Sequence, residues 1–327
     1  MADRSSKLPV GVEKVSFLGW DDCYKLSNDS AELIVVPAIG RAMMFRKLDG
    51  PNVFNIMKNT AGKTRKKTEK YISYGGLYSW VAPQYAWSFT EEQKKANIGD
   101  MGNTPIDSLA HKVINIDKRS ISIARRDKGV YKISMEKTYT LDKKLPKFFY
   151  SVKIKNHSDI TVHWAVWNLT AVKEGGKAIF SAPEGWSNLH FLFQGAKAKA
   201  AFEPCISFAD SFGIVDFDTI TVKGSKVCVN PCDNYLIHCQ PDYWLIRSFP
   251  APDFTKDSFV DNNSQIEIWV DTRNGLFELE TLSPDVRLEK NEEYTYREEF
   301  LIYSPEKKSR AVDIANLKKV IDSVVNK

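Results

Sequence analysis

The sequence has no long apolar run, few cysteines and histidines, and hardly any helical patterning. None of its 327 residues lies in a stretch approaching the roughly 20 apolar residues that a membrane-spanning helix needs. Met1–Pro9 carries no hydrophobic signal-peptide core. That leaves two compartments open: the cytoplasm if this N-terminus is native, the periplasm or exterior if a leader has been removed. The five cysteines (Cys23, Cys205, Cys228, Cys232, Cys239) are an odd number, which argues against a complete disulfide framework. Cys228, Cys232 and Cys239 with His238 make a zinc set on paper, but there is no CxxC pair and Pro231 sits between the first two. Buried structural thiols are the expectation, with no metal and no cofactor. His111, His157, His163, His190 and His238 are too scattered for a metal motif, and His157 falls in a turn. GxSxG, P-loop and GxGxxG motifs are all missing.

Charge of one sign is also scarce, with a net +5 on 46 basic and 41 acidic residues. Much of the excess lies in Lys58–Lys70, where six Lys or Arg face only Glu69. Such a run between strand-like segments reads as a solvated loop rather than a nucleic-acid arm. No aromatic residue interrupts it before Tyr71, and a single-strand binder needs stacking platforms. No nucleic-acid partner is expected.

What is present is apolar and aromatic content of 43% and 12%, enough for a large core. The dominant period is two. Glu32–Val36 leads into a turn at Pro37–Gly40, and Ile114–Ala124 alternates with Ile114, Ile116, Ile121 and Ile123 apolar. Further strands are expected at 131–140, 148–154, 161–170, 219–227, 235–239, 265–271, 276–282 and 294–303. Turn formers separate most of them, among them Asp127-Lys-Gly, Lys223-Gly-Ser and Arg273-Asn-Gly. Many short strands without interleaved helices predict an all-β sandwich or barrel. Only the end looks helical: Val312, Leu317, Val320, Ile321 and Val324 share one face of a 3.6-residue period. The expected organisation is one domain over 1–327, with the sandwich at 12–303 and a closing helix at 306–326.

Three segments depart from plain strand chemistry. Tyr74–Trp87 (YGGLYSWVAPQYAW) offers five aromatic rings within fourteen residues, around a glycine pair. Aromatic faces suit the C–H patches of a pyranose, and amides, carboxylates and guanidinium groups suit its hydroxyls. A buried aromatic corner accounts for the same residues. In Thr161–Thr170, His163, Ala165, Trp167 and Leu169 point one way along a strand, and Trp164, Val166, Asn168 and Thr170 the other. Two tryptophans on opposite faces imply that the second face is covered or binds something. In Leu276–Pro284, Glu278, Glu280 and Leu282 share a face. Acidic residues two apart usually face solvent, yet a carboxylate in a concave sheet can act as a general base.

Together these segments resemble the galactose-mutarotase superfamily, and most closely its DUF4380 branch, from about Gly19 to Tyr303. Three features carry the resemblance: Glu32–Arg41; Tyr74-Gly75-Gly76 through Trp80 and Pro83; and Phe277–Glu280 with Pro284 and Glu298–Ile302. The resemblance implies a supersandwich of antiparallel sheets, closed here by the C-terminal helix, with a saccharide site on the open concave face. In mutarotases of this kind a glutamate takes the anomeric hydroxyl proton while a histidine protonates the ring oxygen. Glu280 matches the glutamate. The histidine's place holds Trp167, and His163 lies four residues earlier, about 13 Å away at the strand rise. His190, near Glu184-Gly185-Trp186, is the alternative acid.

The resemblance implies Trp80, Trp87, Trp167 and Trp186 as stacking faces and Arg41, Tyr74, Gln84, Asn168, Glu184 and Arg247 as polar contacts. It leaves three readings: an aldose epimerase or related sugar-processing enzyme, a carbohydrate-binding module, and a structural or interaction module. The Lys58–Lys70 stretch would favour an acidic saccharide if it overhangs the site.

Overall fold

The computed structural model describes residues 8–66, 71–88, 106–129, 131–193, 195–306 and 308–325. In it the alternating segments pair into two antiparallel sheets. The larger, eleven-stranded sheet begins with β1 (Val12–Phe17), β2 (Trp20–Ser27), β3 (Ala31–Val36), β4 (Arg41–Lys47) and β5 (Leu77–Ala82) in chain order. It continues through β10 (Val162–Val172), β19 (Leu276–Leu282), β18 (Ile266–Asp271), β15 (Lys223–Val229) and β12 (Leu189–Leu192), with β20 (Val286–Leu288) pairing to β10. The ten-stranded sheet runs β13 (Ile206–Ala209), β14 (Phe212–Asp216), β11 (Lys177–Ser181), β16 (Tyr235–Cys239) and β17 (Trp244–Ser248). It then runs β21 (Glu293–Tyr303), β9 (Lys147–Asn156), β8 (Ile133–Leu141), β7 (Ser120–Arg126) and β6 (Lys112–Asp117).

The period of two places the core. Along β8 and β9, every second residue is buried: Ile133, Met135, Tyr139 and Leu141 on one, Phe148, Tyr150, Val152 and Ile154 on the other. These meet Leu33, Phe45, Leu77, Val227, Ile268 and Leu279 of the larger sheet in one continuous apolar layer. At about 25 cal/mol per Å² of apolar surface removed from water, this layer is the main stabilising element of the fold.

Two sequence expectations are corrected. Ile114–Ala124 is a hairpin, β6 to β7, not one strand. Arg119 adopts φ 51° at its turn, and the apolar parity slips there from even to odd numbers. The closing helix, α2 (Ile314–Val324), follows a shorter one, α1 (Ala196–Phe202), and starts eight residues later than expected. The Asp313 carboxylate sets its start by accepting from the Asn316 N–H at 3.1 Å. Leu317, Val320 and Ile321 of α2 then cover Ile179, Ile237, Trp244 and Ile246 on the outer face of the ten-stranded sheet.

The turn after β3 needs a glycine. Gly40 sits at φ 67°, and a Cβ there would run into the His111 ring. The paper zinc set is dispersed. Cys228 lies on β15 of one sheet and His238 and Cys239 on β16 of the other, and all five thiols are free. Of the basic run Lys58–Lys70, residues 67–70 lie outside the described residues. No described helix is long and apolar enough to cross a membrane.

Candidate functional site

Antiparallel register brings several of the expected site residues into rows on the outer face of the larger sheet. One row crosses six strands as Tyr78, Leu169, Glu280, Glu267, Cys228 and His190. On one side of it, Trp80 of β5 lies opposite Trp167 of β10. On the other side, Glu278, Trp269 and Lys226 are registered across β19, β18 and β15.

Two charged groups form at the middle of this face. In the first, the Lys226 ammonium donates to Glu267 Oε2 at 2.6 Å and to Glu280 Oε2 at 2.7 Å. The Trp167 indole Nε1–H donates to the same Glu280 oxygen at 2.8 Å, and the ammonium sits 4.3 Å from that indole's centroid. In the second, Arg41 donates to Asp107 Oδ2 at 2.6 Å and to Tyr71 Oη at 3.2 Å, and stacks 3.7 Å from the centre of the Tyr78 ring. Tyr78 Oη donates to Glu278 Oε1 at 2.5 Å. The wall is aromatic: Trp80 meets Trp87 and Trp167 edge-on at 5.3 and 5.2 Å.

The face is not open as expected. Glu280 is 1% exposed, Glu278 5%, Lys226 3%, Trp167 2% and Trp80 8%. The short helical turn Gln84–Ser88 carries Trp87 onto Trp80 and Trp167, its indole N–H donating to Val81 O at 2.9 Å. Phe193, half exposed at φ 58°, stands edge-on to Trp269 with its ring 5.9 Å from the Lys226 ammonium.

Burial sets the protonation of the cluster. It pushes the Glu280 carboxyl well up, Lys226 opposes the shift, and Glu267 and Glu278 reinforce it. It also raises Glu278, against the pull of the Tyr78 hydroxyl and the Arg41 and Lys226 charges. Burial works against the Lys226 ammonium, but Glu267 and Glu280 outweigh it and hold that proton more tightly than an ordinary lysine does. Asp107 is likewise raised by burial but lowered further by Arg41 and Lys137, and ends below the usual carboxylate range.

The other expected site residues divide. Arg41 and Tyr74 lie at the cluster's edge, with Tyr74 packed edge-on against Trp20. Gln84 is half-buried on the turn that carries Trp87. Arg247 and Asn168 are corrections, since both point between the two sheets. Arg247 pairs with Glu298 at 2.8 Å and donates to Thr281 Oγ1 at 2.7 Å, both side chains of the ion pair being fully buried. Asn168 donates to Glu298 Oε1 at 3.0 Å and accepts from Ser79 at 2.6 Å. Trp186 is another correction: its ring meets Phe208 at the margin of the ten-stranded sheet, and Glu184 beside it is exposed.

Neither histidine meets Glu280. His163 is 59% exposed beside Asp285 at 3.5 Å, six residues along β10 from the residue paired with Glu280. His190 is three strand spacings from Glu280, roughly 14 Å. Its Nε2 is held by Asp261 O and Ser264 Oγ, each at 3.0 Å. Lys226, Glu267 and Asp107 were not among the expected site residues. Parity along β15 and β18 puts the first two opposite the core face, where charged residues are ordinarily solvated.

The family model for the domain of unknown function DUF4380 matches residues 22–303. The chain belongs to the DUF4380 family. No curated protein matches it. This DUF4380 chain is similar in fold to a galactose mutarotase-like protein from Lactobacillus casei, with TM-score 0.58 at 8% identity over 86% of this chain and 100% of that one. A proposed aldose 1-epimerase from Escherichia coli K12 gives 0.56 at 12% identity over 86% and 99%. A galactose mutarotase related enzyme from Lactobacillus acidophilus gives 0.52 at 10% identity over 88% and 99%. At these identities the DUF4380 chain shares their fold, a mutarotase-like sandwich.

Proposed function

We propose that the protein recognises an uncharged aldose at the indole-and-carboxyl cluster of the larger sheet, with Glu280 meeting the anomeric hydroxyl. The observation that carries this reading is the environment of Glu280: a buried carboxyl fixed by an indole N–H and an ammonium beside a wall of edge-on indoles. That combination suits a pyranose, with apolar faces for its C–H patches and charged donors and acceptors for its hydroxyls. Charge balance supports an uncharged ligand. Arg41 is paired with Asp107, and Lys226 with both Glu267 and Glu280, so the cluster's two cations already have carboxylate partners. An acidic saccharide would add an unpaired charge to a dry site. Glu280 and Lys226 are buried, so a ligand reaches them only when covering side chains move, and closure over it then excludes water.

The exposure of Glu280, 1%, favours a second reading in which the cluster is architectural. Tryptophan fluorescence titration with α-D-glucose and α-D-galactose, paired with anomer exchange by NMR, separates the two. Under the proposal, sugar quenches the fluorescence. If the protein also catalyses, Glu280→Gln slows exchange about 100-fold or more while quenching persists, because removing a general base costs at least that much. Quenching without exchange leaves recognition alone. No quenching by either sugar establishes the architectural reading.

A further inference from the structure

The resemblance calls for an acid beside Glu280, and the imidazoles stand elsewhere. His190 is three strands away and engaged with Asp261 O and Ser264 Oγ. His163 lies at the rim of β10 against Asp285. Among the described residues, the titratable group in hydrogen-bond contact with Glu280 is the Lys226 ammonium, 2.7 Å from Oε2.

We propose that Lys226 is the acid of this site, protonating the ring oxygen of the bound aldose while Glu280 accepts the proton of the anomeric hydroxyl. The assignment rests on the saccharide reading above.

Three geometric facts support it. The anomeric hydroxyl and the ring oxygen are bonded to the same carbon, so an acid and a base that serve them must lie within one sugar ring's reach of each other, and Lys226 and Glu280 are 2.7 Å apart. Glu267 Oε2, 2.6 Å from the ammonium, holds it as well, which makes Glu267 a positioning residue. The Trp167 indole lies under the ammonium at 4.3 Å and donates to Glu280, so one ring orients both members of the pair.

The step balances. The anomeric O–H proton passes to Glu280, and the bond between the anomeric carbon and the ring oxygen breaks with its electron pair going to that oxygen. The oxygen takes a proton from Lys226, leaving an open-chain aldehyde, a neutral amine and a protonated carboxyl. Re-closure on the other face of the carbonyl reverses both transfers and gives the other anomer. No net charge moves within the buried cluster. The two transfers also assist each other. Glu267 and Glu280 together hold the lysine proton, and once Glu280 is protonated only Glu267 still holds it. The ammonium is therefore most acidic at the moment its proton is needed.

The test uses the full chain, α-D-glucose and α-D-galactose, with exchange by NMR and binding by tryptophan fluorescence. Lys226→Arg keeps the charge and the donors but cannot release a proton. It is expected to retain quenching by sugar while losing exchange about 100-fold or more, the usual contribution of a general acid. Because a neutral residue at 226 strands two buried carboxylates, the companion variant is Lys226→Ala with Glu267→Gln, which keeps the cluster's net charge. Return of its exchange on adding methylammonium supports a proton donor at this position. Exchange by Lys226→Arg at the rate of the unsubstituted protein overturns the lysine assignment and leaves sugar recognition standing, as does quenching without any exchange. Absence of quenching in the unsubstituted protein overturns the saccharide reading and this assignment with it.

Discussion

Arg247 shows how far a single side chain's surroundings depend on the face it occupies. With Glu298, Thr281, Asn168 and Ser79 it forms a buried polar network between the sheets. Arg247→Met leaves the Glu298 carboxylate buried without its counter-charge. It should cost about 3–5 kcal/mol, as broken buried pairs do. The check is a lower urea midpoint in Arg247→Met, partly recovered when Glu298→Gln is added, with sugar quenching unaffected in both. Lys226 is the opposite case. Strand parity puts it off the core face, and a lysine there ordinarily reaches water. Here Lys226 is buried beside the Trp167 and Phe193 rings, so it must be paired to be tolerated, and Glu267 and Glu280 supply the pairing.

Among the elements, α2 closes the sandwich on its ten-stranded side. Its apolar stripe and its cap make separable contributions. Leu317 is fully buried against the sheet, so Leu317→Ala should destabilise by about 2–5 kcal/mol through lost burial and an unfilled cavity. Asp313→Ala removes one hydrogen bond to an otherwise orphaned N–H and should cost about 1 kcal/mol. Thermal unfolding of the two variants checks the ranking, and equal losses would contradict it. The helix was legible in the sequence by its periodicity, but its start was not, because the apolar pattern does not mark which of Ser304–Asp313 caps it. The β6–β7 hairpin was legible in principle. The slip from Ile114 and Ile116 to Ile121 and Ile123 records the turn at Arg119.

For the molecule as a whole, two buried imidazoles couple stability to pH. Burial, helped by Lys137, lowers His111 to about 3, and burial lowers His238 to about 4. Both lie below the ordinary value near 6.5. Between those limits the unfolded chain binds protons that the native protein excludes, so these two groups make stability rise with pH up to about 6.5 and then level off. Each contributes a slope of about 1.4 kcal/mol per pH unit inside its window. Glu278 and Glu280, both raised, pull the other way, so the difference between variants isolates the imidazoles. Unfolding in urea at pH 4.5 and 6.5 should show a smaller pH difference for the His111→Gln, His238→Gln double variant; an unchanged difference would contradict the assignment. By itself the sequence determined the all-β class, the inward residues of most strands, the shared face of Glu278 and Glu280, and the closing helix. Period and turn chemistry are local properties, and they survive in the linear chain. Only the tertiary structure decided that the outer face of the larger sheet is covered, that Arg247 and Asn168 lie between the sheets, and that Lys226, 54 residues before Glu280, is its hydrogen-bond partner. Those facts depend on which strands become neighbours and on what lies over them. Both are set by long-range pairing and burial, which a residue's own sequence neighbourhood does not encode.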